Sequence, residues 1–411
     1  MNMLSRMARR AVYSRLEQLT EGRLTLVHHD HIAVFGSGDG PSATVTVYDA
    51  DFFVSVLLGG HLGAAESFTE GGWVVDDLTA LMHVFLRNRE VLDGLESGLA
   101  RLVQPVRAAA HALHRNTRMG SKRNILAHYD LGNGLFSQFL DETMTYSCGI
   151  FPLHGSSMRD ASVEKYDRLC RKLELTADDH VLEIGTGWGG FAIHAASTYG
   201  CRVTTTTISP EQYELATERI AAAGLRERIT VLRQDYRDLE GTYDKLVSIE
   251  MIEAVGHQYF GTYFAQCAKL LKPDGRAAIQ AITIQDRYYD SARRSVDFIK
   301  RYIFPGSCIP AVSVLAAAAA PTDLRLVHLE DITPHYAETL RRWRERFFDN
   351  WSSINALGYD ERFKRLWNFY FCYCEAGFDA AVLGNVQLVF AKPQATGWNV
   401  GEADRASRAV A

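Results

Sequence analysis

The stretch Val181-Leu-Glu-Ile-Gly-Thr-Gly-Trp-Gly-Gly190 decides the fold. The run His180–Ile184 has the length and apolar content of a buried strand. Gly185, Gly187 and Gly189 follow it at alternate positions. Glycine lacks a Cβ, so it turns a chain tightly and lets a ligand approach the backbone. A helix from Gly190 completes a strand–turn–helix unit, the seed of a doubly wound parallel sheet. The spacing G-x-G-x-G differs from the G-x-G-x-x-G of dinucleotide sites, and an acid, Glu183, sits inside the strand ahead of the first glycine.

Outward from this turn the same alternation continues. Strands are expected at 202–208, 229–232, 245–249 and 276–282, with helices at 163–173, 210–223 and 259–271. Counting His180–Ile184 as the first strand, the second ends where Thr207, Ser209 and Gln212 can bond to ribose hydroxyls. Ser209-Pro-Glu-Gln212 also reads as a helix N-cap with proline at the first helical position. Asp235 and Tyr236, after the third, stand where such folds contact an adenine. Tyr236 is either a stacking platform or a buried aromatic. Residues 286–393 read as helical and aromatic-rich until a closing strand at 386–391.

Upstream, residues 1–105 read as a small α+β module. It opens with an amphipathic helix, continues in a hairpin of 24–27 with 43–48 across the glycine turn 36–40, and includes a helix near 76–87. Segment 106–123 carries Arg107, Arg115, Arg118, Lys122 and Arg123 and no acid. It is either a solvated linker helix or a surface for phosphate head groups. Residues 394–411 read as a disordered tail.

Composition bounds the rest. The 411 residues are 47% hydrophobic and 23% charged, which suits two or three globular domains. A net charge of -5 argues against nucleic acid as a partner. Seven cysteines without regular spacing read as free thiols in a reducing compartment. No window is expected to hold the roughly 18 apolar residues that span a bilayer.

Several longer motifs carry a resemblance. They are 124–133 with His128-Tyr129-Asp130, 140–151 with Tyr146-Ser147-Cys148, the glycine loop, 209–212, 234–238, Ile249-Glu-Met-Ile-Glu253-Ala-Val-Gly256, Lys300-Arg-Tyr-Ile-Phe304-Pro305-Gly306 and His335-Tyr336. In this order the chain resembles the cyclopropane-fatty-acid synthase family of class I S-adenosylmethionine methyltransferases, over about residues 124–392. The fold implied is α/β: a Rossmann-like domain over 124–393 with a helical lipid-pocket insertion, plus the smaller N-terminal α+β domain.

The resemblance also implies a reaction, methyl transfer from S-adenosylmethionine to a cis double bond of a phospholipid acyl chain, followed by ring closure. Glu183, Gly185, Gly187 and Gly189 would cradle the methionine part of the cofactor, with Tyr146 and Ser147 as further contacts. Relatives hold a bicarbonate as base. Carried over by position, its holders are Cys148, Glu253, Gln280, Ile282 and Tyr336. Gln280 stands where many relatives have His, so an amide that carries no positive charge replaces a titratable ring. That departure puts ring closure, against a methylene- or methyl-branched product, in question. Cys374 matches a cysteine often proposed as nucleophile, although the chemistry needs no thiolate.

Aromatics between 286 and 378, among them Tyr289, Phe298, Trp343 and Phe371, would supply both core and an acyl tunnel. The resemblance further implies a homodimer. The enzyme would sit in the cytoplasm, docked on the inner face of the membrane through 115–123 and through Arg293, Arg294, Lys300 and Arg301.

Overall fold

In the computed structural model, residues 3–96 and 131–395 are described. The basic segment 106–123, the motif 124–130 and most of the expected tail lie outside them. The chain divides into two units. One comprises Met1–His114, Arg294–Pro305 and Leu340–Val382; the other comprises Arg115–Arg293, Gly306–Thr339 and Leu383–Ala411. The division follows packing rather than chain order. The stretches 294–305 and 340–382, expected to belong to a lipid-pocket insertion of the methyltransferase domain, group instead with the N-terminal module.

In the first unit the opening helix Met3–Leu16 buries Ser5, Ala8, Val12 and Leu16. Strand β1 (Arg23–His28) pairs antiparallel with β2 (His31–Phe35) and parallel with β3 (Ser42–Val47), while β4 (Trp73–Val75) closes the other edge. The expected hairpin of 24–27 with 43–48 is therefore corrected. The hairpin partner of β1 is β2, reached through a two-residue loop in which His29 adopts a φ of 51°. The glycine run 36–40 is a crossover instead, because β1 and β3 run in the same direction.

Helix Asp51–Thr69 departs from another expectation: by length and composition it is apolar enough to cross a membrane. Half of its apolar window is buried inside the protein, with Phe53, Leu62 and Ala65 at 0% exposure, so it serves here as a core helix. The aromatic helix Glu361–Asp379 also belongs to this unit. Its Trp367 stacks on Phe347 at 6.0 Å and 10° between planes, and Phe371 meets the same ring edge-on. Phe298, Trp343, Phe347, Trp367 and Phe371 are all buried. In the described residues these aromatics are core.

The second unit is built on a seven-stranded sheet in the order β10-β11-β9-β8-β5-β6-β7. The strands are β5 (His180–Ile184), β6 (Arg202–Thr207), β7 (Ile229–Arg233), β8 (Tyr243–Ile249), β9 (Leu271–Ile284), β10 (Arg325–Asp331) and β11 (Leu383–Ala391). β5 to β9 are parallel, whereas β11 and β10 add antiparallel at one edge. Strand β10 was not expected. It is an edge strand carrying polar Arg325, His328 and Glu330, within a stretch expected to be helical.

Burial on both faces explains the continuous apolar runs of β5 and β9. Leu182, Ile184, Ile279 and Leu388 pack on one side with Phe264 of helix Phe260–Leu270, while Val181, Val203, Val247 and Ala278 pack on the other with Phe191. Deleting a ring such as Phe264 would cost about 3–5 kcal/mol. All seven cysteines are unpaired thiols.

Candidate active site

The order of the parallel strands reverses between β5 and β8, and in such sheets ligands bind beyond the carboxyl ends of the strands at that reversal. Gly185 follows β5, Thr207 ends β6, Asp235 follows β7, and Glu250 and Glu253 follow β8. Gln280 and Ile282 lie late in β9.

The glycine loop is formed as expected. Gly185, Gly187 and Gly189 have φ of 104°, 51° and 85°, where any other residue would be strained. A Cβ on Gly187 would point into open space, with nothing within 4 Å, while one on Gly190 would strike the Tyr166 hydroxyl at 2.5 Å. The loop therefore packs tightly behind and opens in front, a cradle that fits the cofactor. Glu183 braces it: Thr205 Oγ1 donates to Glu183 Oε2 at 2.5 Å and lies 2.6 Å from Thr186 Oγ1 of the loop. Burial pushes the Glu183 carboxyl up to about 8, against the Thr205 hydrogen bond and the nearby Lys165.

The other expected cofactor contacts are tied to one another. Thr207 Oγ1 donates to Gln212 Oε1 at 2.8 Å, and Ser209 Oγ accepts the Gln212 N–H at 3.3 Å as a helix cap. Asp235 accepts two guanidinium bonds from Arg237 at 2.8 and 2.6 Å. Tyr236 meets Tyr263 edge-on at 5.5 Å, with the Arg237 guanidinium 5.6 Å from its ring. Tyr146 meets Phe136 edge-on at 5.2 Å, and Phe136 in turn touches Trp188 of the glycine loop. Ser147 Oγ accepts from Lys165 Nζ at 2.6 Å.

Lys165 had no sequence signal beyond being a helical lysine. It is buried, and burial draws its ammonium down to about 8 although Glu250, Asp141 and Glu183 favour its charge. Arg219 was also missed. Its Nη1 donates to the carbonyls of Thr143 and Trp188 at 3.0 and 2.6 Å, stapling the 140–148 segment to the glycine loop.

The residues expected around a base do converge, but on a group not singled out in the sequence, Glu250. Its Oε1 accepts the Cys148 N–H at 3.0 Å, Gln280 Nε2 at 2.9 Å and Asn385 Nδ2 at 2.6 Å. Its Oε2 accepts the Tyr336 hydroxyl at 2.6 Å. Four donors around one side chain make a carboxylate-holding pocket. The residue pays for this place in backbone strain. Glu250 has a φ of 48°, a left-handed conformation that costs a non-glycine residue about 1–3 kcal/mol and marks functional sites.

The orientation of Gln280 follows from its neighbours. Lys172 Nζ, which only donates, gives a bond to Gln387 Oε1 at 2.5 Å. Gln387 Nε2 therefore faces Gln280 Oε1 at 3.0 Å, and the Gln280 amide N–H is left to face Glu250. Glu253 lies next to this pocket. Its Oε1 accepts the Ile282 N–H, its Oε2 is buried with no hydrogen-bond partner among the described residues, and its backbone carbonyl accepts the Cys308 N–H at 2.9 Å. Burial, reinforced by the charge of Glu250, pushes its carboxyl up to about 8. Cys148 Sγ is buried and its thiol is held well above the usual range by desolvation and by Glu250. It contributes its backbone N–H rather than a thiolate.

The two halves of the site are contiguous. The Met251 side chain, next to Glu250, lies 3.2 Å from where a Cβ on Gly185 would stand, and Ser248 Oγ donates to the Ile184 carbonyl at 2.9 Å. Cys374 belongs to the first unit, and burial raises its thiol far above the usual range. The expected docking cations are partly consumed. Lys300 is buried and donates to the Ser295 carbonyl at 2.9 Å, Arg301 pairs with Glu66 at 3.2 Å, and Arg293 pairs with Asp290 at 2.8 Å.

Residues 116–388 match the family model described as mycolic acid cyclopropane synthetase. The chain is 38% identical, over 91% of its length and 89% of the relative's, to the tuberculostearic acid methyltransferase UfaA1 of Mycobacterium tuberculosis. It is 37% identical to the cyclopropane-fatty-acyl-phospholipid synthase of Escherichia coli K12, over 90% of this chain and 92% of that one. Among solved structures, the mycolic acid cyclopropane synthase CmaA1 in complex with SAH and CTAB superposes with a TM-score of 0.63 at 27% identity, covering 66% of this chain and 98% of that one.

Proposed function

The chain belongs to the mycolic acid cyclopropane synthetase family and is an S-adenosylmethionine-dependent methyltransferase, and from that premise we propose its substrate and product. It transfers a methyl group to a cis double bond of an unsaturated phospholipid acyl chain and closes the product to a cyclopropane. The observation that carries this reading is the carboxylate pocket of Glu250, built beside a glycine loop that fits the cofactor. An alkene acceptor needs such a base, because it must lose a proton after the methyl arrives. An amine or hydroxyl acceptor also sheds a proton, and the family match is what favours the alkene.

S-adenosylmethionine, when bound, supplies an electrophilic methyl group. The residues of this chain do the rest. Gly185 to Gly189 admit the cofactor against the backbone, and the Arg219 staple holds Trp188 and the 140–148 segment in place. An alkene is a poor, uncharged nucleophile, so holding it against the methyl supplies much of the barrier reduction. Glu250 is partly exposed, but the walls around it are closed to solvent: Cys148, Gln280 and Asn385 are all at 0% exposure. Such walls protect a cationic acyl chain from water, and the nearby carboxylate stabilises it. Docking at the inner face of the membrane, from the cytoplasm and as a homodimer, belongs to the same proposal and rests on the resemblance.

A second reading keeps the methyl transfer and stops at a methylene- or methyl-branched chain, or acts on a dienoic one. Gln280 favours it, as a neutral amide where many relatives have a histidine. Incubation with S-adenosylmethionine and liposomes of cis-monounsaturated phospholipid, followed by gas chromatography–mass spectrometry, decides. A product heavier by one CH₂ that resists mild hydrogenation is expected. A product of that mass that takes up hydrogen would assign the branched reading, and no acyl product would end the lipid reading.

A further inference from the structure

We infer that Glu250 itself is the base of the reaction, standing where the family resemblance implies a bound bicarbonate. The inference rests on the proposed methyl transfer to an acyl double bond, and its assignment of the pocket stands on geometry alone. Three groups that the resemblance gives to bicarbonate, from Cys148, Gln280 and Tyr336, all donate to the Glu250 carboxylate at 2.6–3.0 Å, and Asn385 adds a fourth donor. The Ile282 N–H is taken by Glu253. A bicarbonate would need the same donors, so the donor set does not fit a second anion beside Glu250. A residue with left-handed backbone and four convergent donors is a built feature of the fold.

The chemistry balances with no further reactant. The π pair of the alkene forms a bond to the methyl carbon, and the carbon–sulfur bond breaks with its pair going to sulfur. This leaves S-adenosylhomocysteine and a cationic acyl chain. Glu250 then takes one proton from the transferred methyl, and the C–H pair closes the third side of the ring. Oε2, which among the described residues accepts only from Tyr336, has a lone pair for that proton, whereas Oε1 is saturated. The proton passes to water when the product leaves. A C–H beside a cation is acidic, so position matters more than basicity. Gln387, anchored by Lys172, is a positioning residue that turns the Gln280 donor toward Glu250.

The test uses the full chain as wild type, Glu250→Gln and Glu250→Gly. Glycine suits a φ of 48°, so the second variant removes the carboxylate without backbone strain, and calorimetric S-adenosylmethionine affinity reports on its fold. One readout is independent of lipid: binding of ¹³C-bicarbonate followed by NMR. Wild type is expected to show none, and Glu250→Gly to bind it at millimolar concentration. In buffer purged of bicarbonate, wild-type turnover is expected not to respond to its return. Glu250→Gln should lose about 10²-fold or more in turnover with cofactor affinity unchanged. Glu250→Gly should lose a similar amount and regain part of it with bicarbonate or formate.

Binding of ¹³C-bicarbonate by wild type would overturn the inference. So would a severalfold rise in wild-type turnover on adding bicarbonate, or wild-type-like turnover of Glu250→Gly without added anion. Wild type inert on every unsaturated phospholipid, with bicarbonate bound by Glu250→Gly alone, would end the substrate reading and leave the Glu250 assignment standing.

Discussion

The glycine loop after β5 and the carboxylate pocket between β8, β9 and β11 lie on one sheet and are built in opposite ways. The loop is a local object. Ten consecutive residues set its turn, three of them glycines at positive φ, so a ligand entering it would meet mostly backbone. The pocket is assembled from Cys148, Glu250, Gln280, Tyr336 and Asn385, partners 30 to 135 residues away from Glu250 in sequence. The loop presents an open surface to a ligand, whereas the pocket has already filled its donors with a side chain of its own. A site for a diffusible cofactor must stay open, while a group that acts in every turnover can be built in.

Substitutions can separate the two regions. Away from Glu250 itself, the largest effect is expected at Gly187. Valine there must hold a φ of 51° and place its Cβ in the space that opens before the loop, so Gly187→Val should weaken S-adenosylmethionine binding by about tenfold or more, read by calorimetry. Bicarbonate binding and the pocket should not change. An unchanged cofactor affinity would break the assignment of the loop.

Gln387→Leu comes next and touches only the pocket. It removes the group that orients Gln280 and leaves Lys172 to Glu330, so turnover should fall by about tenfold while KM for the cofactor stays constant. The conservative Gln387→Glu, which still accepts from Lys172 but cannot donate to Gln280, should fall as far. A fall in cofactor affinity instead would mean that the two regions are not separable.

Glu253→Gln tests the pocket through stability. The wild-type carboxyl titrates at about 8 in the folded protein against 4.5 in its ordinary state. Between these values the folded state binds the proton and the unfolded state does not, so this group removes stability as pH rises through that window. Glutamine cannot ionise. The Tm of Glu253→Gln relative to wild type should therefore climb from pH 4.5 to about 8, and a flat difference would show that Glu253 is already ionised. The smallest effect is expected at Cys374, which lies in the other unit with its thiol held neutral. Cys374→Ala should change turnover by less than about threefold, where loss of a true nucleophile costs orders of magnitude.

The contrast also explains what could be read from the chain. The parallel sheet, the glycine loop and the cap at Ser209 follow from patterns a few residues long, and the structure forms each of them. The hairpin of β1 was assigned to the wrong strand because alternation at 43–48 fits either direction, and only the two-residue loop at His29 selects β2. Edge strand β10 was hidden by its polar face. The aromatic stretches 294–305 and 340–382 carry no mark of the unit they pack in, since burial in one core looks like burial in another. Glu250 sat in plain view in Ile249-Glu-Met-Ile-Glu253. Its importance depends on an asparagine on β11 and a tyrosine after β10, and nothing within its own motif announces them.

The most direct measurement uses S-adenosylmethionine labelled as a CD₃ methyl donor, with cis-monounsaturated phospholipid, and counts deuterium in the acyl product by mass spectrometry. If a fixed carboxylate takes a proton from the transferred methyl, the product keeps two of the three deuterons, and Glu250→Gln slows its appearance without changing the count. A product that keeps all three would show that the proton leaves from the acyl chain instead, and would contradict the role given to the pocket.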